Sequence, residues 1–393
     1  MKCKNRDTKI GTAFLYDPGT LGDCFVANYI GVDIGGTKIA IALVGEGGQV
    51  SKRRSRPTPV KDGGKAILSQ AVDLVGELIK EARSEGTNIG GIGIGAGGQI
   101  DAAQGLVFSA TDVLPGWKGL RLTEAFETAY NLPCKADNDV NVLALGEWRF
   151  GAAKNFAEKK PTATIVFLAL GTGVGGALIK AGEVHHGAHW SGGEFGHILL
   201  SMDGDARCDT GGARGTLEAY CSGPGMVATY LELCAGAGNC VTDAAVADAG
   251  VTLAGASTAS ASTASASIAS ASTAGASSAG MASARATAAS VTGEDVVAAA
   301  NLEKSRAVTA GPGMMAIALT GRYLGFGLTT LANALDPDLI IIGGGLATLG
   351  EDLLGPAREV LKERALPGPA TCPVVIAGLA ADAAVVGAAA LLI

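Results

Sequence analysis

The sequence predicts an α/β protein built from two similar halves, and two observations predict it. Strand-like apolar runs alternate with helix-like segments along the 393 residues. In addition, an apolar strand, a glycine turn and a second apolar strand follow one another twice, first in residues 29–50 and again after residue 161. A repeated unit of this kind indicates a duplicated domain with a cleft between the halves.

The first half contains patterns for four further elements. Apolar residues at helical spacing predict a helix over residues 66–83, and an apolar run predicts a short buried strand over 89–95. Another strand is expected over 133–136, followed by a helix over about 140–150. Strands and helices therefore alternate within this half.

The second half begins with TATIVFLALGTGVGGALIKAG, which repeats the strand–turn–strand plan. DLIIIGGGLAT, residues 338–348, predicts a strand that passes through glycines into a helix. Between them, residues 254–290 form a degenerate five-residue Ser/Ala repeat. Because such a tract cannot bury enough apolar surface to offset its ordering entropy, we expect it to be disordered or loosely helical.

These patterns predict four parts of the chain. They are an N-terminal extension (1–28), a small α/β domain (29–150), a large α/β domain with the Ser/Ala insert (151–380), and a C-terminal helix (381–393). The C-terminal helix is free to pack back on the small domain.

Composition excludes several classes of protein. The net charge of −7 argues against a nucleic-acid partner, since such proteins usually carry a basic face. The eight cysteines contain no CxxC pair and indicate reduced intracellular thiols. The N-terminus lacks the apolar core of a signal peptide, and no apolar run approaches the ~18 residues of a membrane span. We therefore expect a cytoplasmic protein with no membrane partner.

The first glycine turn, DIGGTK, has the composition of a phosphate loop. Gly35 and Gly36 allow backbone N–H groups to approach an anion, and Thr37 and Lys38 add donors. Asp33 could hold Mg²⁺ directly or through water. The alternative is a tight hairpin without a ligand.

Two more glycine loops follow apolar strands. Gly171, Thr172 and Gly173 belong to LGTGVGG, in the equivalent position of the second half. Neither this loop nor DIGGTK has the spacing of a Walker P-loop or of the dinucleotide fingerprint. IIIGGG would let a ligand lie against backbone at a helix N-terminus, and an adenosine group would suit it.

The segment ADNDVN places Asn138 and Asp139 at the end of a buried strand. A carboxylate in this position can accept the proton of a substrate hydroxyl as its oxygen attacks phosphorus. The alternative is an Asx turn that caps the following helix. The two interpretations are equally compatible with this segment alone.

Seven motifs together resemble a known family. DIGGTK, PGWKG, NDVNVLALGE, LGTGVGG, GEFGH, LEAYCSG and IIIGGG occur in the order found in the ROK family of sugar kinases. The resemblance implies the actin-like, ribonuclease-H-like two-domain sugar kinase fold, with ATP and sugar in the interdomain cleft. It also implies a small-molecule sugar partner and a homo-oligomer, most often a dimer.

The resemblance assigns roles to individual residues. Asp139 resembles the catalytic base. The sugar ligands would be this Asp139 together with Gly98, Asn138, Glu194, His197 and Glu218, although Gly97 replaces a usual proline. DIGGTK and Gly171–Gly173 resemble the two phosphate motifs. The adenosine motif would consist of Gly343, Gly344 and Gly345.

One motif departs from the family. ROK proteins commonly continue from the GH motif into CxCGxxGCLE, whose cysteines join the histidine on a structural zinc. Here Cys208 is followed by Thr210 and Thr216 at the other two cysteine positions, so no structural zinc is expected. A carboxylate or carbonyl must then orient His197 instead, and the nearby carboxylates are Asp203, Asp205 and Asp209.

The resemblance implies an ATP- and Mg²⁺-dependent glucokinase acting on the sugar 6-hydroxyl. Alternatives within the family are a kinase for N-acetylmannosamine or another hexose or hexosamine, and a polyphosphate-using glucokinase, since those enzymes also lack the cysteines. A non-catalytic sugar-sensing repressor is less favoured, because repressors carry an N-terminal helix-turn-helix for which the first 28 residues are too few. A sugar-binding protein without catalysis is disfavoured by the presence of Asp139 beside both phosphate loops.

Overall fold

The computed structural model describes residues 27–110, 114–236, 291–308 and 310–393. The Ser/Ala repeat of residues 254–290 and almost all of the N-terminal extension lie outside these ranges. Within them, two five-stranded sheets form the framework, as the repeated strand–turn–strand pattern predicts.

The first sheet has the order β3-β2-β1-β4-β7. Its first three strands form an antiparallel meander, and β4 and β7 run parallel to β1. The strands are β1 (Asn28–Ile34), β2 (Lys38–Gly45), β3 (Val50–Pro57), β4 (Ile89–Ala96) and β7 (Cys134–Asn138). A separate two-stranded hairpin, β5 (Gln99–Asp101) with β6 (Leu106–Ser109), lies between β4 and β7 in the chain.

The second sheet repeats this plan with the order β10-β9-β8-β11-β12. Again a meander of antiparallel strands is joined by two strands parallel to its first member. The strands are β8 (Thr164–Leu170), β9 (Val174–Lys180), β10 (Glu183–Val184), β11 (Leu339–Gly343) and β12 (Val374–Ile376). The same topology in both halves confirms the predicted duplication.

Helices cover the sheets. Most have an apolar face buried in the core of their half. The described helices are α1 (Gly64–Ser84), α2 (Leu122–Tyr130), α3 (Asp139–Arg149), α4 (Lys154–Lys159), α5 (Leu217–Cys221), α6 (Gly223–Gly236), α7 (Gly293–Ser305), α8 (Pro312–Leu335), α9 (Glu351–Arg364) and α10 (Ala383–Ala390).

The C-terminal helix α10 packs on β1, β4 and α3. Glycines make this approach possible. A Cβ atom on Gly31 would lie 1.8 Å from the carbonyl oxygen of Val385, and one on Gly93 would lie 1.8 Å from that of Ala388. The helix backbone therefore lies directly against the first sheet.

Helix α3 connects the two halves, because it contacts both α10 and β9. Near its end, the fully buried Glu147 accepts hydrogen bonds from the backbone N–H groups of Ala152, Gly378 and Leu379. This carboxylate fixes the segments that lead into and out of the second half. The C-terminal end of α3, the helix that begins at Asp139, is thereby anchored to both segments.

The predicted helices and strands of the first half are confirmed within a few residues. The prediction for the third glycine segment is wrong in one respect. IIIGGG leads into a 3-10 segment, Gly345–Leu349, and α9 begins only at Glu351. No helix in the described part of the chain is long and apolar enough to cross a membrane.

Candidate active site

The first glycine turn and the Asn138–Asp139 segment meet at one edge of the first sheet. In the parallel part of this sheet, Asp33 lies opposite Gly95, which in turn lies opposite Asp137. The carboxyl ends of parallel strands point to the same edge, where ligands bind in open α/β sheets. Asp33, the loop after β4 and Asp139 are therefore brought together.

A cavity of about 730 Å³ lies between this edge and the second half. All the residues predicted to bind sugar contribute to its lining: Gly98, Asn138, Asp139, Glu194, His197 and Glu218. We call it the polar cavity. Residues that the sequence did not single out also line it, and two of them join the halves, since Gln99 Nε2 donates a hydrogen bond to Ser191 Oγ at 2.8 Å.

Asp139 is the first residue of α3 and is half-buried in the polar cavity. Burial raises the pKa of its carboxyl group, while hydrogen bonds from the surrounding backbone and from Asn138 oppose the rise. One of these bonds is from Val140 N–H to Oδ1 at 2.9 Å. A positioned carboxylate with a raised pKa is a suitable proton acceptor near neutral pH.

Asn138 caps α3, as the Asx-turn alternative predicts. Its Oδ1 accepts hydrogen bonds from the N–H groups of Val140 and Asn141 at 2.9 and 3.2 Å. Its Nδ2 donates to the carbonyl of Gly98 at 2.9 Å. Gly98 has a φ of +100°, and a Cβ there would lie 2.6 Å from Ser109 O, so the position requires glycine. The capping side chain also fixes the loop that lines the cavity.

Glu194 precedes a 3-10 turn that ends at His197, and both side chains line the polar cavity from the second half. Burial is the main cause that raises the pKa of Glu194; the charges of Asp139 and Glu218 add to it, and His197 opposes it. Among the described residues, none donates a hydrogen bond to the Glu194 carboxylate. Its oxygens are available to accept hydrogen bonds from a ligand.

Glu218 differs from Glu194, because both of its oxygens have partners. Val174 N–H donates to Oε2 at 3.0 Å, and Thr210 donates to Oε1 through both its N–H and its hydroxyl. A Cβ on Gly173 would lie 2.6 Å from Oε2. The carboxylate therefore lies directly against the second glycine loop.

A second cavity, of about 1060 Å³, adjoins the polar one. We call it the apolar cavity, since Met226, Val227, Leu231 and other aliphatic side chains line it. Thr172 and Gly345 belong to this cavity, Gly173 and Gly344 belong to the polar one, and Gly171 lines both. The two cavities thus meet at the second glycine loop.

Six residues predicted to contact the cofactor, in two segments, lie outside both linings. Gly343 packs against the Phe167 ring, where a Cβ would lie 2.8 Å from Cζ. The DIGGTK residues Asp33, Gly35, Gly36, Thr37 and Lys38 form a hairpin, closed by a hydrogen bond from Gly35 N–H to Lys38 O at 3.1 Å. They line neither cavity, and Gly36, Thr37 and Lys38 are exposed at the hairpin turn.

Asp33 is nevertheless coupled to the site by charge. Burial first, and then the charge of Asp139, raise the pKa of Asp33 to about 6, with Lys38 partly offsetting the rise. Two carboxylates that repel each other at a strand edge favour a cation between them. A cation beside Asp33 would reduce this repulsion and favour the ionised form of its carboxyl group.

An ion pair that no sequence motif indicates lies next to the Asn138–Asp139 segment. His186, in the loop after β10, places Nε2 2.7 Å from Oδ2 of the buried Asp137. The other oxygen of Asp137 accepts from Asn141 Nδ2 and from Asn138 N–H. A buried carboxylate just before the Asn-Asp pair signals that a partner is needed, but the sequence does not indicate which histidine supplies it.

We expect His186→Gln to destabilise the protein by about 1–3 kcal/mol near pH 6, because Asp137 would lose a charge-assisted hydrogen bond. The hydrogen bond to Asp137 is the main cause that raises the pKa of His186. The folded pKa thus exceeds the unfolded value near 6.5, so this stabilisation is complete below about pH 6.5 and declines as the pH rises through the folded pKa.

Urea unfolding of the wild type and the variant across this pH range measures the effect. The matched control is His189→Gln in the same loop, since His189 is exposed. The ion pair would be contradicted if the difference in the free energy of unfolding between the wild type and His186→Gln grew as the pH rises.

The segment that lacks the zinc cysteines is held by hydrogen bonds. Thr216 Oγ1 donates to Asp209 Oδ2 at 2.9 Å, and Thr210 donates to Glu218. Cys208 is exposed, and the described residues contain no group of three or more His, Cys, Asp and Glu side chains that could hold a metal ion. Threonine hydroxyls that donate to the carboxylates of Asp209 and Glu218 therefore hold this segment.

Elemental analysis should find less than about a tenth of a zinc ion per chain, since structural zinc needs four protein ligands. A strong zinc chelator, with Mg²⁺ in excess, should leave the melting temperature and any activity unchanged. Stoichiometric zinc that a chelator removes together with activity would contradict this prediction.

Comparison with known proteins agrees with the motif order. The profile of the ROK family matches residues 29–393. The chain belongs to the ROK family. A glucokinase from Halalkalibacterium halodurans is 30% identical over 363 residues, which cover 91% of this chain and 93% of that protein. An N-acetyl-D-glucosamine kinase from Escherichia coli is 34% identical over 212 residues, or 51% of this chain and 65% of that protein.

Solved structures give the same result for the fold. A ROK family glucokinase from Streptomyces griseus, in complex with glucose and AMPPNP, is 26% identical and superposes with a TM-score of 0.64. The match covers 93% of this chain and 99% of that one. This chain thus has the expected actin-like, ribonuclease-H-like two-domain fold, and its resemblance to ROK sugar kinases is confirmed.

Proposed function

We propose that the chain is an ATP-dependent hexose kinase, and specifically a glucokinase that transfers the γ-phosphoryl group of ATP to the 6-hydroxyl of glucose. The meeting of two unlike cavities at Gly171 is the observation that carries this proposal. The polar cavity suits a sugar and the apolar cavity suits a nucleoside. A group transferred between the two ligands would cross at the glycine loop.

The polar cavity offers the groups that sugar hydroxyls need. Each hydroxyl both donates and accepts, and the carboxylates of Glu194 and Glu218 with the imidazole of His197 can satisfy several of them. Glu194 has acceptor oxygens without a donor in the described chain, so it supports the proposal most directly. Carboxylates at these positions favour a neutral polyol over an anionic substrate.

The apolar cavity favours a nucleotide over polyphosphate as donor. Aliphatic side chains such as Met226 and Leu231 can cover an adenosine group, whereas a polyanion would gain nothing from them. The backbone of Gly171 and Thr172 faces this cavity where the phosphates would lie. The Streptomyces griseus relative, which binds AMPPNP, supports the same choice.

Mg²⁺ fits the charge at the edge of the first sheet. Asp33 has a pKa raised to about 6 by burial and by Asp139, so a cation beside it would favour the ionised carboxylate. Kinases hold this ion with one or two carboxylates and the substrate phosphates, so Asp33 would bind it directly or through water. When bound, the ion neutralises charge on the donor phosphates.

In the proposed reaction, Asp139 accepts the proton of the 6-hydroxyl as that oxygen attacks the γ-phosphorus. The bond from the γ-phosphorus to the β–γ bridging oxygen breaks, and ADP leaves. Catalysis is mainly positioning, which the capped start of α3 provides through Asn138. Closure of the halves over the sugar would exclude water as a competing acceptor. The proposal includes a cytoplasmic homo-oligomer.

N-acetylated hexosamines are the second candidate substrates, favoured by the similarity to an Escherichia coli N-acetyl-D-glucosamine kinase. ADP release with glucose, mannose, N-acetylmannosamine and N-acetylglucosamine, with ATP or polyphosphate as donor, separates the alternatives. We expect the highest kcat/KM with glucose and ATP. Faster turnover of an acetylated sugar would show that this sugar, and not glucose, is the substrate. Sugar binding without turnover would indicate a sensor instead of a kinase.

A further inference from the structure

Asp209 lies in the loop that connects the Glu194–His197 turn with Glu218 at the start of α5. Its side chain is fully buried, and each oxygen has a partner within its own loop. Ala213 N–H donates to Oδ1 at 2.8 Å, and Thr216 Oγ1 donates to Oδ2 at 2.9 Å. The Asp209 backbone pairs with Ala213 as well, through Asp209 N–H and Ala213 O at 2.8 Å. The loop therefore holds this carboxylate rigidly.

The carboxylate faces His197. Asp209 Oδ2 lies 3.7 Å from Nδ1 of the imidazole, within electrostatic reach and slightly beyond hydrogen-bond length. A negative charge beside Nδ1 stabilises the tautomer that carries its proton there. The other nitrogen, Nε2, is then a hydrogen-bond acceptor for a ligand in the polar cavity.

The next residue, Thr210, acts on the other carboxylate of the sugar wall. Its N–H and its hydroxyl both donate to Oε1 of Glu218. With Val174 N–H on Oε2, these donors fix the orientation of the carboxylate plane. Two consecutive residues thus contact two different groups of the polar cavity.

We infer that Asp209 and Thr210 are positioning residues for the sugar: Asp209 sets the tautomer of His197, and Thr210 sets the orientation of Glu218. The inference rests on the proposed function for the identity of the ligand. It goes beyond that function, because it assigns to a two-residue turn of this chain the task of presenting two acceptors to the sugar hydroxyls. Neither residue is required to touch the sugar.

Asp209→Asn tests the first part with little change of shape. The amide oxygen can still accept from Ala213 N–H, while the amide nitrogen replaces Oδ2 and would donate toward His197. The Thr216 hydroxyl, which donates to Oδ2 in the wild type, would instead accept from the second amide hydrogen. The proton then moves to Nε2, and the acceptor facing the sugar becomes a donor. We expect a rise of about tenfold or more in sugar Kd and KM, with kcat changed by less than about threefold.

Nitrogen-15 NMR of the imidazole in the ligand-free protein gives a readout that does not depend on activity. Wild type should show the proton on Nδ1 and Asp209→Asn should show it on Nε2. The matched control is Asp205→Asn, which removes the same charge from an exposed position in the same loop and should leave both the tautomer and the sugar Kd unchanged. The same tautomer in wild type and Asp209→Asn would overturn the inference, whether or not the chain phosphorylates hexoses.

Thr210→Val and Thr210→Ser test whether Thr210 orients Glu218. They also provide a test of the inference if Asp209→Asn does not fold. Valine removes the hydroxyl that donates to Glu218, whereas serine keeps it. We expect sugar Kd to rise about tenfold with valine and to stay within about threefold with serine. Equal Kd values for the two variants would overturn the role of Thr210. Tight sugar binding with both parts intact but no ADP release would refute the proposed function alone.

Discussion

Replacing Asp139 with asparagine is expected to lower kcat by at least ~100-fold, which is the lower end of a general-base contribution. The sugar Kd should change little, because asparagine keeps an oxygen that can accept a hydrogen bond but cannot take the proton of the attacking hydroxyl. A loss in kcat without a matching rise in Kd identifies an interaction used only in the transition state.

Stability provides the control for Asp139→Asn. Burial raises the pKa of Asp139, which means that its ionised form is disfavoured in the folded protein. A neutral amide relieves this penalty, so the melting temperature of the variant should equal or exceed that of the wild type at neutral pH. Near-wild-type turnover in a folded variant would remove Asp139 from the proposed mechanism.

Replacing Glu194 with glutamine is expected to raise the sugar Kd by about 10- to 100-fold, the equivalent of ~1.5–3 kcal/mol for a hydrogen bond to a charged group. Described residues supply no donor to this carboxylate, and Asp139 and Glu218 add negative charge around it. Sugar hydroxyls would be its donors. Glutamine keeps one acceptor and turns the other into a donor, so at least one hydroxyl loses its partner.

Calorimetry of sugar binding measures this effect separately from catalysis. The control is Glu183→Gln, which makes the same chemical change at an exposed position on the edge strand β10. We expect Kd to be unchanged in the control. If Glu194→Gln binds sugar as tightly as the wild type, its carboxylate does not contact the ligand and the polar cavity holds the sugar in another way.

Local patterns predict the framework of the site, because the relevant residues lie at the ends of strands. Asn138 ends β7 in the first sheet and Gly171 follows β8 in the second, and within each sheet the parallel strands bring their carboxyl ends to one edge. The Asx-turn interpretation holds for Asn138, which caps α3 and also lines the cavity, and the proton-acceptor role of Asp139 stays a prediction. Short-range signals are sufficient for these positions.

Long-range pairs are not predictable in the same way. Asp137 and His186 are 49 residues apart, and their contact depends on how the second half lies against the first. Similarly, three aspartates lie close to His197 in sequence, and only the fold shows that Asp209 is the one that faces it. The glycine run alone likewise does not reveal that Gly344 lies against the backbone of Leu170 or that a 3-10 segment follows it.

The most direct test of the account follows the phosphoryl group itself. Phosphorus-31 NMR of the protein with glucose, ATP and Mg²⁺ should show ADP and a sugar phosphomonoester appearing in equal amounts, with the phosphate on the 6-oxygen, and Asp139→Asn should form neither at a comparable rate. Glucose that binds in calorimetry while ATP stays intact, or ADP that forms with inorganic phosphate in place of the sugar ester, would contradict the claim that the two cavities join a hexose to its phosphoryl donor.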